Sequence, residues 1–484
     1  MREYRNFIDG EYVRGAQTFG DRSPVDGSLV AVVHEARAAE VDAAVAAARR
    51  ALQGPWGTLS VAQRGELLHR VAAGIEARAA EFLEAEIADT GKPRALAAHL
   101  DIPRGAANFR VFADLVRNVP TEFFEGPAPD GRPTFNYAKR KPKGVVAVVC
   151  PWNLPLLLMT WKVAPALACG NTVVVKPSEE TPATATLLGE VMNAAGVPAG
   201  VYNVVHGFGP DAAGEMLVTH PGVDAITFTG ETRTGSAILR SAAANITPVS
   251  MELGGKNPAV IFADADIAAV KAGLARSVFE NCGQVCLGTE RIYVHRSRFD
   301  EVVGVLGGLA SGLVPGAPMD PETTIGPLIS QGHRAKVLGY YADAKAQGAQ
   351  LVAGGGVPEM PGALAEGAWI EPTVWTGLPE TSSIVREEIF GPCAHVQPFD
   401  EEAEVVRYAN DTRYGLAASV YTADLARAHR VAGQLEVGVC WVNCWFVRDL
   451  RTAFGGAKQS GIGREGGVHS LEFYTELSNI CVKL

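Results

Sequence analysis

Apolar residues recur at three- and four-residue spacing over 39–52 and again over 61–90, which predicts two early helices, the second capped by Ser60. From 145 onward the pattern changes. Short apolar runs at Val145–Val149, 172–175, 202–205, 225–228 and 248–253 read as strands, separated by helix-like stretches at 156–168, 181–195, 211–219 and 233–244. Such alternation predicts a parallel sheet covered by helices on both faces. A second alternating run opens near Asn257, with a strand at 258–262 and a helix to about Phe279, and continues to about Val442. The fold class is therefore α/β, with two doubly wound parallel sheets.

Three stretches need separate treatment. The proline-rich, basic segment 127–143 interrupts the first run and predicts a hairpin that leaves the body; the strand-like tail 472–484 is placed to pair with it, in its own chain or a neighbour's. The run 144–170 is apolar enough to resemble a membrane span, but Pro151, Asn153, Pro155, Lys162 and Pro165 interrupt it. It reads as a buried strand, a loop and a buried helix, so no membrane association is expected.

Composition narrows the function. The 484 residues are about three domains' worth at ~150 residues each. A content of 47% hydrophobic and 20% charged residues is that of a globular enzyme rather than a disordered chain. The net charge of −10, with no basic stripe, excludes nucleic acid as a partner. The charged start, from Met1 to Asn6, has no apolar signal core, so a cytoplasmic location is expected. Eight cysteines are too sparse for a disulfide scaffold, and the ten histidines form no metal-binding motif, so no metal is expected.

Against that background a few residues stand out. Cys286 closes the segment from Phe279, and Glu252 opens Glu252-Leu253-Gly254-Gly255-Lys256. A thiol attacks an aldehyde carbon, and a carboxylate activates water to cleave the thioester that follows. The alternative for Glu252 is a salt bridge to Lys256, and Cys282 is the rival thiol. Pro151-Trp152-Asn153 ends the strand Val145–Val149, where the Asn153 amide is placed to donate to an oxyanion. Lys176, Ser178 and Glu179 follow the strand 172–175 at the sheet edge where α/β folds bind nucleotides. A glutamate there bonds a ribose 2′-hydroxyl and repels a 2′-phosphate, which favours NAD over NADP. Gly230 and Thr232 lie in a strand-to-helix turn whose amides can approach a pyrophosphate, although Glu231 beside them is electrostatically odd. Glu388 and Phe390 bring a carboxylate and a ring together in Glu388-Ile389-Phe390-Gly391-Pro392, suited to a nicotinamide ribose and its ring. An ordinary turn or loop is the alternative for each of these four segments.

Taken in order along the chain, these motifs and the closing stretch from Phe454 to Glu465 resemble the NAD(P)-dependent aldehyde dehydrogenase superfamily over nearly the whole length. The resemblance implies an NAD-binding domain at 1–124 and 144–252, a catalytic domain at 253–455, and an oligomerisation hairpin and tail at 125–143 and 468–484, assembled into homodimers or homotetramers. It selects Cys286 over Cys282 as nucleophile, with Asn153 and the Cys286 amide holding the thiohemiacetal oxyanion. Members that pass the acyl group to coenzyme A usually lack the glutamate, so Glu252 implies a hydrolytic enzyme. The departure is Glu231, where many members carry serine.

Arg104 and Arg448 mark the substrate. They flank the expected aldehyde tunnel, and together their segments look like the subgroup that oxidises 2-hydroxymuconate or 2-aminomuconate 6-semialdehyde. Two arginines suit a small anionic semialdehyde, whose carboxylate they would hold in bidentate fashion; a surface or interdomain ion pair is the alternative for each. Leu154, Leu158 and Trp161, at helical spacing, are expected to wall the conjugated chain, or else to be core. A broad aliphatic or betaine aldehyde dehydrogenase is the competing enzyme, and a silent binding or structural member of the fold is the competing non-enzyme. A quaternary ammonium substrate would want rings and acids at its mouth, not arginines.

Overall fold

The computed structural model describes residues 2–484. The expected strand–helix alternation is present from 145 onward, and it builds an eight-stranded sheet. Across that sheet the strands run Gly461–Ile462, Val249–Glu252, Ala225–Thr229, Val145–Val149, Thr172–Lys176, Tyr202–Val204, Asn6–Ile8 and Glu11–Val13. The five central strands are parallel and the flanking ones antiparallel. Among the parallel strands the chain enters at Val145–Val149, winds outward on one side, then returns to wind outward on the other. The order reverses beside Val145–Val149, and that switch point opens the crevice where α/β sheets take ligands.

A second, seven-stranded sheet runs Gln350–Ala353, Thr373–Thr376, Cys393–Phe399, Thr289–His295, Asn257–Ile261, Ala417–Tyr421 and Val439–Val442. All neighbours are parallel except the first pair. Separate apolar layers cover the two faces of each sheet.

The membrane-like run is a core element. Every residue of the helix Pro155–Ala168 except Leu158 is buried, and Lys162 within it is paired to Glu465 at 2.7 Å. No helix among the described residues is long and apolar enough to cross a membrane.

Two boundaries differ from expectation. The predicted helix 61–90 is broken at Arg78 (φ −108°, ψ 22°) into Val61–Ala77 and Ala79–Thr90. Arg78 turns its guanidinium to Glu81 and Glu190 at the break, while Ser60 caps the first piece as expected. The hairpin starts earlier than expected, at Phe123–Pro127, because Phe123 and Phe124 join the ladder opposite Tyr137 and Asn136. Its second strand, Pro133–Pro142, pairs with the tail strand Thr475–Lys483 of the same chain, making a three-stranded antiparallel sheet.

Candidate active site

The site lies where the carboxyl ends of the first sheet face the loops of the second. A cavity of about 250 Å³ is lined there by Trp152, Asn153, Gly230, Glu231, Cys286, Glu388 and Phe390 among others. Seven sequence-predicted or flagged residues from four separate segments thus share one space.

Backbone geometry presents Cys286. After the helix Ile267–Phe279 the chain makes a short turn in which Asn281, Cys282 and Gly283 all take positive φ (54°, 55° and 69°). At Gly283 a Cβ would lie 2.0 Å from the Gly391 carbonyl oxygen, so only glycine lets this turn press against the Phe390–Gly391 loop. Side chains then tie the turn down. Asn281 donates to the carbonyls of Asn153 (3.0 Å) and Gln284 (3.1 Å), and the Gln284 carboxamide oxygen accepts from the Ile329 amide at 2.9 Å. Asn281 and Gln284 fall in the segment from Phe279 to Cys286, and their role in anchoring the loop is visible only in space.

Asn153 is buried, and its Nδ2 donates to the Gln284 carbonyl at 3.0 Å. One of its two amide hydrogens is thus spent on orienting the group, which leaves the other for an incoming oxygen. Cys286 keeps part of its surface open to the cavity. Burial first, then Glu252 and Glu388, push its thiol up to about 12, opposed by the Leu287 amide and Arg448. The rival Cys282 is fully buried in an apolar cluster, and burial alone raises it above that.

Glu252 ends its strand with both carboxylate oxygens buried and without a hydrogen-bond partner. It is not paired with Lys256, whose ammonium goes to Glu290. Burial, then Glu465, hold the Glu252 carboxyl well above the usual range, while Lys162, Arg448 and Arg464 oppose the rise. An unsatisfied buried carboxylate is costly and is characteristic of a reactive group. Behind it, Lys162 bonds Glu465 (2.7 Å) and Thr227 (3.0 Å), and Ser250 bonds Glu465 at 3.2 Å. Sequence reasoning missed this polar chain, since Lys162 registered only as a flaw in an apolar run.

A ring cluster borders the thiol on the other side. Trp152 meets Phe390 edge-on at 5.4 Å and His333 at 5.3 Å, and His333 Nε2 contacts the Phe390 carbonyl at 2.8 Å. Glu388 accepts from the Gly255 amide at 2.8 Å, and burial followed by Glu290 raises it to about 7. His333 and Lys336 also line the cavity and carried no sequence signal.

The remaining expected cofactor contacts stand along the same sheet edge. Lys176 ends the next strand and bonds Glu179 at 2.9 Å, and Ser178 accepts from the Glu180 amide at 3.3 Å. These three do not line the 250 Å³ cavity; they continue the edge beyond it. Gly230 precedes the twelve-residue helix Thr232–Ala243, whose amino end carries no side-chain cap. Thr232 lies at that end with its hydroxyl toward the Gln459 carbonyl at 3.4 Å. Glu231 turns its carboxylate to Arg233 at 3.4 Å, which softens the expected clash with phosphate.

Arg104 and Arg448 converge on one ring. Their guanidinium carbons stand 5.5 Å and 4.9 Å from the Trp161 centroid, and Arg448 is also 3.8 Å from that of Phe454. Neither pairs with a carboxylate among the described residues, so the ion-pair alternative fails for both. Arg104 has only Asn108 Oδ1, at 3.1 Å, and one Arg448 nitrogen, Nη2, is buried with no partner. Burial, then Arg448, lowers Arg104 to about 9; burial lowers Arg448 to about 10. Two half-buried guanidinium groups without a carboxylate thus stand over one indole, an arrangement with the charge and donors to receive an anion. Leu158 is the one partly exposed residue of its helix and Trp161 lies beside it, whereas Leu154 precedes the helix rather than sharing its face.

Comparison with known proteins identifies the family. The chain is 66% identical over the full length of both proteins to a 2-hydroxymuconic semialdehyde dehydrogenase of Pseudomonas sp. (strain CF600). It is 58% identical, over 100% of this chain and 99% of the relative, to a 2-aminomuconic 6-semialdehyde dehydrogenase of Pseudomonas sp.. A solved NAD+ complex of an aldehyde dehydrogenase from Bacillus cereus superposes with a TM-score of 0.96 at 39% identity, covering 100% of this chain and 97% of that one. The family model for aldehyde dehydrogenases matches residues 12–480, and the chain belongs to the aldehyde dehydrogenase family.

Proposed function

We propose that the protein oxidises a carboxylate-bearing semialdehyde of the 2-hydroxymuconate or 2-aminomuconate 6-semialdehyde type to the dicarboxylic acid, with NAD as oxidant. The observation that carries the substrate is the pair Arg104 and Arg448, both lacking a carboxylate and both set over Trp161. The named relatives support the same reading. A neutral or quaternary ammonium aldehyde leaves those two charges unanswered.

The residues present fit NAD. Glu388, held by the Gly255 amide, would take a ribose; Trp152 and Phe390 would border the nicotinamide; Gly230 and Thr232 would offer the helix amino end to phosphates; Lys176, Ser178 and Glu179 would take the second ribose. When bound, NAD supplies the hydride acceptor. Cys286 gives up its thiol proton, the one the overall reaction sheds, and attacks the aldehyde carbon as thiolate, with Asn153 Nδ2 and the Cys286 amide holding the oxyanion of the thiohemiacetal. Hydride leaves that carbon, giving a thioester on Cys286. Glu252 takes a proton from water, which cleaves the thioester and returns the thiol. One aldehyde, one NAD+ and one water give the acid, NADH and a proton. The buried Lys162–Glu465 pair behind Glu252 is suited to carry that proton away. We further read the molecule as a cytoplasmic homo-oligomer that uses its hairpin-and-tail sheet, on which Phe123 and Phe124 are exposed.

The test is NADH formation from 2-hydroxymuconate 6-semialdehyde beside hexanal, in the parent protein and in Arg448→Ala. Charge-assisted hydrogen bonds contribute roughly 1.5–3 kcal/mol each, so at a pH above the acid limb of Glu252 kcat/KM for the semialdehyde falls about 10- to 150-fold with little change in kcat/KM for hexanal. Equal losses for both aldehydes remove the anion clamp.

A further inference from the structure

Arg448 does not face the substrate subsite alone. Its guanidinium lies on Phe454, which packs in the same apolar cluster as Cys286. The next residue, Gly455, is the one whose Cβ would stand 2.7 Å from Glu252 Oε1. Cation, ring, loop and catalytic carboxylate therefore follow one another, Arg448 lying on Phe454 and the adjoining Gly455 abutting Glu252. Both Glu252 oxygens and Arg448 Nη2 are buried and lack hydrogen-bond partners. Glu252 is sealed from water, and Arg448, half-buried at the edge of an open cavity, acts on it through the packed side of its guanidinium, where screening is weaker than in water.

We propose that Arg448 is a positioning residue that couples occupancy of the anion subsite to the proton affinity of Glu252, so that a docked substrate carboxylate makes Glu252 a stronger base. This rests on the reading of Arg448 as a partner of the substrate carboxylate. In the free enzyme the bare cation favours the ionised Glu252. A carboxylate bound to Arg448 cancels that field, and Glu252 holds a proton more tightly from then on. The groups facing Glu252 are Glu465, Lys162, Arg448 and Arg464, with Cys286 across the cavity; those facing Cys286 are Glu252, Glu388 and Arg448. Among the cations, Lys162 is matched by Glu465 at 2.7 Å and Arg464 donates to the carbonyls of Gly456 and Gly463, whereas Arg448 has no carboxylate and a nitrogen left without a partner. Its charge is thus the one a ligand can switch. The direction follows from the burden already on Glu252, which Arg448 relieves and Glu465 adds to. Above the acid limb, where Glu252 is ionised with either substrate, the coupling also gives selectivity beyond binding, because a neutral aldehyde leaves the base in its weaker state.

The experiment is the pH profile of thioester hydrolysis, read after the NADH burst so that the Glu252 step is isolated. A base that must be ionised to act loses rate on the acid side with its own apparent pKa. With hexanal as substrate, Arg448→Gln moves the acid limb up by half to one pH unit, a three- to tenfold loss of rate below the limb. Arg448→Lys keeps the charge and keeps the limb, and Arg451→Gln, at an exposed arginine three residues on, also leaves it in place. In the unmodified enzyme the limb for the semialdehyde stands above that for hexanal, a comparison that needs no variant to fold. An unmoved limb in Arg448→Gln, an equal shift in Arg448→Lys, or coincident limbs for the two substrates each overturns the coupling. Loss of semialdehyde preference is a separate reading of kcat/KM, so failure of the clamp is told apart from failure of the link.

Discussion

Gly455 keeps the Glu252 carboxylate in place by having no side chain: a methyl group there would stand 2.7 Å from Oε1, and the backbone has φ +147°. Glycine meets both demands at once. Gly455→Ala should push the carboxylate aside while leaving Cys286 free to attack. The expected outcome is a nearly full NADH burst followed by turnover lowered about 100-fold, the scale of a 1 Å misplacement of a catalytic group. A normal steady state would show that the loop yields without moving Glu252.

Cys282 and Cys286 differ in surroundings more than in spacing. The first is sealed in apolar packing with Ile325 and Val337, and the second opens on the cavity. Cys282→Ala should cost less than about threefold in kcat and lower stability by a cavity cost of roughly 1 kcal/mol. Cys286→Ala should remove the burst altogether. A surviving burst in the latter would transfer the nucleophile's role.

Lys162 and Glu465 form an ion pair sealed from water, with side-chain exposures of 0% and 4%. Removing one partner strands a buried charge, at about 3–5 kcal/mol. Lys162→Met should therefore lower Tm by several degrees, and the double variant Lys162→Met/Glu465→Leu should recover a large part of that loss. Chemical denaturation of the four proteins in a cycle gives the coupling directly. Additive losses would mean the pair is not acting as one.

His206 is buried, with Nε2 at 3.0 Å from Thr186 Oγ1, and burial lowers its pKa to about 3. Its ordinary value is near 6.5, so between those limits the unfolded chain takes a proton that the native state refuses. Stability is present above pH 6.5 and lost as pH falls toward 3, by about 1.4 kcal/mol per unit from this residue. Urea unfolding at pH 7, 6 and 5 should show a slope flatter by that amount in His206→Gln. Parallel slopes would place the acid sensitivity elsewhere.

Much of this was legible along the chain. Parallel strands, buried helices and the nucleophile turn follow from apolar spacing and local motifs, which act over a few residues. Arg104 and Arg448 were readable as a pair only through family likeness; their union over Trp161 needs three segments to meet. Lys162, His333, Asn281 and Gln284 were not read as functional because their partners lie far off in sequence or are backbone atoms. The break at Arg78 escaped for a similar reason: its cause includes Glu190, more than a hundred residues later.

The Lys162–Glu465 pair spans 303 residues, as does the bond from Asn171 to the Tyr474 carbonyl. The first sheet therefore waits on the last part of the chain to be synthesised. A nascent chain released from the ribosome at residue 440 carries a helix with an uncompensated cation at its centre and no edge strand at Gly461–Ile462. It should stay protease-sensitive, and cleavage should cease only once residues beyond 474 have emerged, a timing that pulsed proteolysis of stalled chains can follow. In that sense the closing motif serves biogenesis as well as chemistry: the enzyme's amino-terminal half is finished by its carboxyl terminus.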